Sequence, residues 1–293
     1  MKVLVLGKTG MLGHVVFTYL QEKGYEVVGT SSKSEIKYDA FNDMEHIEEI
    51  LEQENPDAVV NCIGILNKVA EENKDLAVKL NSLLPHYLDK LSTKYGFKFI
   101  HVSTDCVFEG TKGKYDELAY PDATSFYGRS KALGEVKNDK SATLRTSIVG
   151  PDDNPKGIGL FQWFMNQEGK TGGYSKVIWT GVTTIELAKC IEEALRNNVT
   201  GLNHVVNNEF ISKYNLLKLF KKYFGKDIVI DKNDKVVSKK TLVRTEKSYD
   251  FKVPSYEEMV KEMSDWVENH PELYPTLMEQ SNFKKVRRLK KWK

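Results

Sequence analysis

No apolar run in this chain approaches the roughly eighteen residues needed to cross a bilayer. Cysteine is scarce: Cys62, Cys106 and Cys190 are the only three in 293 residues, with no CxxC spacing. A disulfide framework and a cysteine-based zinc site are therefore not expected, and the thiols read as reduced, as in a cytoplasm. Internal repeats and low-complexity linkers are missing as well. The apolar start is broken by Gly7-Lys8-Thr9-Gly10, and no small-residue cleavage site follows. A buried strand entering a glycine turn explains it better than a secretory signal. Net charge is only +2, from 43 basic and 41 acidic residues. Residues 284–293 hold seven of the basic residues and no acid, which leaves 36 basic against 41 acidic elsewhere. A mildly acidic body argues against nucleic-acid binding by the main fold. The basic tail reads as a frayed, solvated terminus rather than a patch for lipid or nucleic acid.

What is present is an ordinary globular composition, 40% hydrophobic and 29% charged, arranged with a clear rhythm. Continuous apolar runs at 2–6, 26–29, 58–63, 97–102, 142–149 and 202–206 read as strands, with a short one at 36–38. Helical spacing fills most of the intervals: Leu12, Val16, Tyr19 and Leu20; then Met44, Ile47 and Leu51; then 76–95, 127–136 and 184–195. Strands apolar on both faces that alternate with helices predict a doubly wound parallel sheet of the Rossmann type. The stretch 151–180 breaks the rhythm. Beyond Asn208, helices at 214–224 and 256–269 flank an extended segment at 227–230. The expected organisation is a dinucleotide-binding part, 1–150 with about 181–208, and a small substrate-binding lobe from 151–180 and 209–270. A C-terminal extension, 271–293, follows.

Gly7-Lys-Thr-Gly10-Met-Leu-Gly13 joins the first strand to the first helix. Glycines there permit a tight turn and let backbone N–H groups approach a pyrophosphate at the helix N-terminus. An NAD site usually places an acid about twenty residues on, at the ribose 2′-hydroxyl. Here the second strand runs into Thr30-Ser31-Ser32-Lys33, with no acid before Glu35. Hydroxyls and a lysine suit a 2′-phosphate, to which Lys8 could add charge, so NADPH is expected ahead of NADH.

A ketone reductase also needs an acid to protonate the developing alkoxide. Tyr127-Gly-Arg-Ser-Lys131 places a phenol and an ammonium on one helix face, where the cation is expected to lower the phenol's pKa. The spacing is cheap: with 14 tyrosines and 37 lysines, chance gives about two, and Tyr19/Lys23 and Tyr214/Lys218 share it. Position selects Tyr127, which follows a strand ending in Ser103-Thr104-Asp105. Thr104 is there to hydrogen-bond a substrate carbonyl.

Together with Asn61-Cys-Ile-Gly64, Ser103-Thr-Asp-Cys-Val-Phe108 and Leu144-Arg-Thr-Ser147, these motifs resemble the extended short-chain dehydrogenase/reductases. The branch they resemble is dTDP-4-dehydrorhamnose reductase, over about 1–270. The resemblance implies NAD(P)H-dependent reduction of a keto group on a nucleotide-linked deoxysugar for surface polysaccharide synthesis, with Thr104, Tyr127 and Lys131 as the catalytic trio. It implies cofactor contacts from Gly7, Thr9, Gly10, Met11, Leu12 and Gly13, from Thr30 to Lys33, and from Asp39 and Ala40 near the adenine. Cys62, Ile63 and Gly64 would lie beneath the nicotinamide half. Asn81 matches a helix asparagine that supports the lysine through water, or is a plain polar helix residue. Substrate contacts are expected from Thr104, Asp105, Cys106, Ile148 and Arg244. Lys156, Lys170 and Lys176 are weaker candidates for a diphosphate, which a guanidinium grips better.

Some positions depart from the pattern. Cys106 replaces a tyrosine and Ile148 a tryptophan that walls the sugar site, which implies a differently shaped pocket. Asp105-Cys106 lacks the glutamate that related 4,6-dehydratases use. Val15 stands where some rhamnose reductases carry a metal-linking glutamate at a dimer contact, so no metal is expected. His14 and His101 read as packing histidines. A nucleotide sugar is the expected partner, and a homodimer stays open. Two alternatives stay open as well: a nucleotide-sugar epimerase, and a non-catalytic regulatory subunit like that of methionine adenosyltransferase.

Overall fold

The computed structural model describes residues 1–279 apart from 153, 155, 156 and 246–248. The basic tail and Lys156 lie outside the described residues. In chain order the first half runs β1 (Lys2–Leu6), α1 (Gly13–Glu22), β2 (Glu26–Ser31), β3 (Ile36–Lys37), α2 (His46–Glu54), β4 (Ala58–Asn61), α3 (Asn67–Glu72), α4 (Lys74–Ala77), α5 (Leu84–Tyr95), β5 (Lys98–Thr104), α6 (Phe126–Leu133) and β6 (Ala142–Thr146). The second half runs β7 (Ile148–Val149), α7 (Leu160–Met165), β8 (Lys170–Trp179), β9 (Val182–Thr183), α8 (Thr184–Arg196), β10 (Gly201–His204), β11 (Ile211–Ser212), α9 (Lys213–Phe224), β12 (Val229–Lys239), α10 (Tyr256–Asn269) and α11 (Pro275–Glu279).

Seven strands form one parallel sheet in the order β10-β6-β5-β4-β1-β2-β3. β1 is apolar throughout because both of its faces are covered. Val3 and Val5 pack with Val16 and Leu20 of α1 and Leu187 and Ile191 of α8. Leu4 and Leu6 pack on the other side with Ile47 and Leu51 of α2 and Leu84 and Leu88 of α5. Each such side chain contributes roughly 1.5–3 kcal/mol of burial. Together they fix the sheet between its helices, as the alternation of strands and helices predicts. Among the described residues, no helix is long and apolar enough to cross a membrane.

Three local differences have physical causes. The run 142–149 is two strands, not one. At Ser147 the chain leaves the sheet: the Ser147 carbonyl accepts the N–H of Val182 at 2.8 Å, and β7 pairs with β9 in a ladder of its own. The helix expected at 76–95 is interrupted by a π-helical turn, Val78–Leu83. The rhythm-breaking stretch contains β8, which pairs with β11 and β12 in a second sheet. There β12 runs to Lys239, well past the expected 230; it is an exposed edge strand, so its sequence carries no apolar signal.

Candidate active site

Connections leave β1 and β4, neighbours in the sheet, in opposite directions. Such a switch point opens a crevice at the carboxyl ends of the strands. A cleft of about 830 Å³ lies there, bordered by Gly10, Met11 and Leu12, by 62–67, by 103–106, by Tyr127 and Lys131, and by Ile148, Trp163 and Lys213.

Its floor is the glycine turn. Gly7 has a φ of +79°, and its N–H and that of Lys8 donate to the Thr30 carbonyl at 2.9 and 3.0 Å. A Cβ on Gly13 would lie 2.1 Å from the Gly7 oxygen, so only glycine lets α1 start this close to β1. Gly10 differs: the nearest atom to a Cβ there is 3.4 Å away. The N–H groups of Met11 and Leu12 make no backbone hydrogen bond among the described residues. An open floor with unpaired donors at the start of a helix fits a pyrophosphate. Thr9 lies in the same turn and is exposed.

At the end of β2, Thr30 is fully buried and its hydroxyl has no protein partner. The Ser31 hydroxyl accepts from the Lys33 N–H at 3.1 Å. Ser32 and Lys33 are exposed. Lys8 lays its stem across Gly29 and its ammonium over the Phe17 ring. Asp39 accepts from the N–H of Phe41 and Asn42 and from the Asn42 amide; these bonds, the Asn42 side chain foremost, lower its pKa. Ala40 is buried beside it.

Thr104, Tyr127 and Lys131 converge on the cleft. Thr104 ends β5 and accepts the Cys106 N–H at 3.1 Å, which caps the short turn Asp105–Val107. Ser125 caps α6, and the Glu71 carboxylate accepts the N–H groups of Phe126 and Tyr127 at 2.7 and 3.3 Å. A Cβ on Gly128 would lie 2.2 Å from the Cys106 carbonyl oxygen, so this glycine lets α6 press against that turn. The result is a buried Tyr127 phenol with the Thr104 hydroxyl beside it.

Electrostatics at the trio differ from the simple expectation. Burial pushes the Tyr127 phenol up, Cys106 and Asp105 add to the rise, and the Thr104 hydroxyl opposes it. The Lys131 ammonium is not among the groups that act on it. Its Nζ instead donates to the Val102 carbonyl at 2.8 Å and faces Nε2 of His101 at 3.3 Å. Burial pushes Lys131 down to about 8. Burial likewise raises the Asp105 carboxyl, and holds the Cys62 and Cys106 thiols up at about 12, so neither is a ready nucleophile.

The other candidates sort by place. Cys62, Ile63, Gly64 and Ile148 border the cleft. Arg244, expected at the substrate, does not: its guanidinium donates to the Phe251 carbonyl at 2.7 Å and to Asp250 at 2.9 Å. Lys170 pairs with Asp231, and neither it nor Lys176 borders the cleft. The sequence reading missed Lys213, which opens α9 after its Ser212 cap and does border it. Asn81 accepts from the Ile65 N–H at 3.0 Å and donates to the Ile65 carbonyl and to Ser130, each at 3.1 Å. Tyr19 donates to Glu192 at 2.8 Å, and Tyr214 packs on Gly173; neither borders the cleft.

The chain is similar to several known proteins. The chain is 34% identical over 177 residues to a probable low-salt glycan biosynthesis reductase, Agl14, of Haloferax volcanii, covering 56% of this chain and 59% of that protein. It is 29% identical over 220 residues to the spore coat polysaccharide biosynthesis protein SpsK of Bacillus subtilis, covering 73% and 76%. Similarity to the β subunit of methionine adenosyltransferase 2 of Xenopus laevis is 28% over 159 residues, 52% of this chain and 48% of that one. The chain thus spans about half to three fifths of the length of the first and last of these. In fold it is similar to a dTDP-4-dehydrorhamnose reductase of Bacillus anthracis in complex with NADP. That likeness has a TM-score of 0.78 at 21% identity, over 91% of this chain and 99% of that one. Solved dTDP-4-dehydrorhamnose reductases thus share its fold; the family model described as the RmlD substrate binding domain matches residues 1–268, and the chain belongs to that family.

Proposed function

We propose that this protein is an NADPH-dependent reductase of a nucleotide-diphospho-4-keto-6-deoxysugar, working in the cytoplasm in surface polysaccharide synthesis. The observation that carries the reading is the buried Tyr127 phenol with Thr104 beside it on the wall of a cleft floored by the glycine turn. A phenol with a raised pKa keeps its proton at neutral pH and can give it to a developing alkoxide. Thr104 orients the keto oxygen, and Lys131 holds the ribose next to the nicotinamide. The bound dinucleotide supplies the hydride. Asp105-Cys106 offers no glutamate for dehydration. In this reading 1–150 with 181–208 bind the cofactor, and 151–180 with 209–270 bind the sugar nucleotide.

The test is NADPH oxidation with a panel of nucleotide-linked 4-keto-6-deoxysugars, beside fluorescence titration of NADPH and NADH. Steady NADPH consumption supports the reductase. Interconversion of sugars without consumption favours an epimerase. Equal or tighter NADH binding removes the NADPH preference, which rests on exposed Ser32 and Lys33 and on the lack of an acid there. The similarity to a methionine adenosyltransferase β subunit keeps a second reading in view, a regulatory subunit. Stoichiometric capture of an enzyme partner, with no turnover on any keto-sugar, would favour it.

A further inference from the structure

We infer that His14 and Tyr274 are positioning residues for dinucleotide binding, through which the segment after α10 sets the aim of the glycine turn. The inference rests on the reading that this turn holds a dinucleotide. Tyr274 lies beyond residues 1–268, the part that the family model matches, so the family match does not supply it. After α10 the chain turns back against α1. His270 stacks on Trp266, with ring centroids 3.8 Å apart, and its Nε2 lies 2.8 Å from the Glu22 carboxylate at the end of α1. Four residues later, Tyr274 packs edge-on against His14, the second residue of α1. His14, Trp266 and Tyr274 are all buried, and none of them borders the cleft. Their polar atoms form one chain of bonds. The Tyr274 hydroxyl is 2.9 Å from Nε1 of Trp266 and 2.8 Å from Nε2 of His14. Nδ1 of His14 is in turn 2.9 Å from the Gly10 carbonyl oxygen.

Hydrogen-bond sense fixes the direction. A carbonyl only accepts, so Nδ1 carries the ring's hydrogen and donates it to Gly10. Nε2 of the uncharged ring then accepts, and the Tyr274 hydroxyl donates to it. An indole N–H only donates, so the same hydroxyl accepts from Trp266. The His14 ring cannot turn without breaking two of these bonds. The Gly10 carbonyl thereby takes two donors, the ring and the His14 backbone N–H at 3.1 Å. That carbonyl shares one planar trans peptide with the Met11 N–H, which must point the opposite way. Holding the oxygen on the protein side therefore holds the Met11 N–H out toward the cleft that Met11 borders. A donor fixed before the ligand arrives costs less ordering on binding. His14 thus does more than pack: it carries the hold of the C-terminal segment to the phosphate end of the site.

The test is fluorescence titration of the full-length protein with NADPH, beside melting of the ligand-free protein. Tyr274→Phe keeps the ring and deletes the hydroxyl, and its dissociation constant should rise roughly three- to tenfold. His14→Asn places an amide N–H where Nδ1 stands, whereas His14→Leu fills space but cannot donate. The asparagine variant should bind NADPH more tightly than the leucine variant; a role in packing alone gives the reverse order or none. Coupling is reciprocal, so NADPH should slow hydrogen exchange over 271–279 in the wild-type protein. Unchanged affinity in a folded Tyr274→Phe, His14→Leu binding as well as His14→Asn, or exchange over 271–279 that ignores NADPH overturns the proposal. Should a His14 variant not fold, Tyr274→Phe and the exchange measurement decide. Failure of the dinucleotide reading is distinct: the wild-type protein then binds neither NADPH nor NADH.

Discussion

Arg145 grips Glu135 with two nitrogens of its guanidinium, Nε donating to Oε1 at 2.7 Å and Nη2 to Oε2, and both side chains are buried. Glu135 Oε1 also accepts from the Ser103 hydroxyl at 2.8 Å, one residue before Thr104, so the pair ties the end of β5 to β6 and to the chain leaving α6. Nη1 also donates to Nε2 of His204, whose Nδ1–H donates to the Val243 carbonyl; burial, then the nearby guanidinium, push this histidine down to about 4. Removing one partner strands a buried charge, which costs about 3–5 kcal/mol. Glu135→Gln should lose on that order in urea unfolding. Glu135→Leu combined with Arg145→Met should lose less than the single variant. A single variant within about 0.5 kcal/mol of wild type would mean the pair is not the brace it resembles.

Tyr127→Phe keeps the ring's packing and deletes the proton donor. Turnover should fall by about a hundred- to ten-thousand-fold with dinucleotide affinity retained. Tyr19→Phe and Tyr214→Phe carry the same sequence spacing away from the cleft and should keep their rates. NADPH oxidation across the three variants is the measurement, and a dead Tyr214→Phe with a live Tyr127→Phe would reverse the assignment.

The glycine turn separates space for protein from space for ligand. Gly13→Ala drives a methyl into the Gly7 carbonyl, a backbone atom that cannot step aside, so melting temperature should drop. Gly10→Ala meets only a contact of 3.4 Å and should fold normally, yet its methyl projects where the pyrophosphate must approach. Calorimetry paired with dinucleotide titration distinguishes them. Normal affinity in Gly10→Ala would move the phosphate elsewhere.

Much of this was legible in the sequence because burial on both faces leaves a mark. β1 and β4 read as unbroken apolar runs, and YxxxK after a strand ending in Ser103-Thr104 picks out side chains that the fold brings to one cleft. Other features arise from contacts that no local pattern records. The π-helical turn around Asn81 lets one amide bond both backbone groups of Ile65, sixteen residues away. The exit of the chain at Ser147 follows from the approach of Val182. Arg244 looked free for phosphate because Asp250 and Phe251 are its partners only after folding. His101 left one usable sign: a polar ring inside an otherwise apolar strand needs a buried partner. The partner proved to be Lys131.

Lys131 itself offers a stability test with a definite sign. Its ordinary pKa of 10.5 applies to the unfolded chain, and burial lowers the folded value to about 8. Between those two values the unfolded state binds more protons, so stability rises with pH there. Below about 8 both states are charged and the full cost of burying the cation is present; above 10.5 both are neutral and it is gone. Wild type should therefore gain on the order of 3 kcal/mol relative to Lys131→Met as pH climbs through that window. Other groups that titrate alike in both proteins, such as Lys98, which burial also pushes down to about 8, cancel in the difference. Urea unfolding of both proteins at several pH values, without dinucleotide, measures it. A flat difference from neutral to alkaline pH would mean that Lys131 stays charged in the folded protein, and that the site keeps a fixed cation rather than one that titrates.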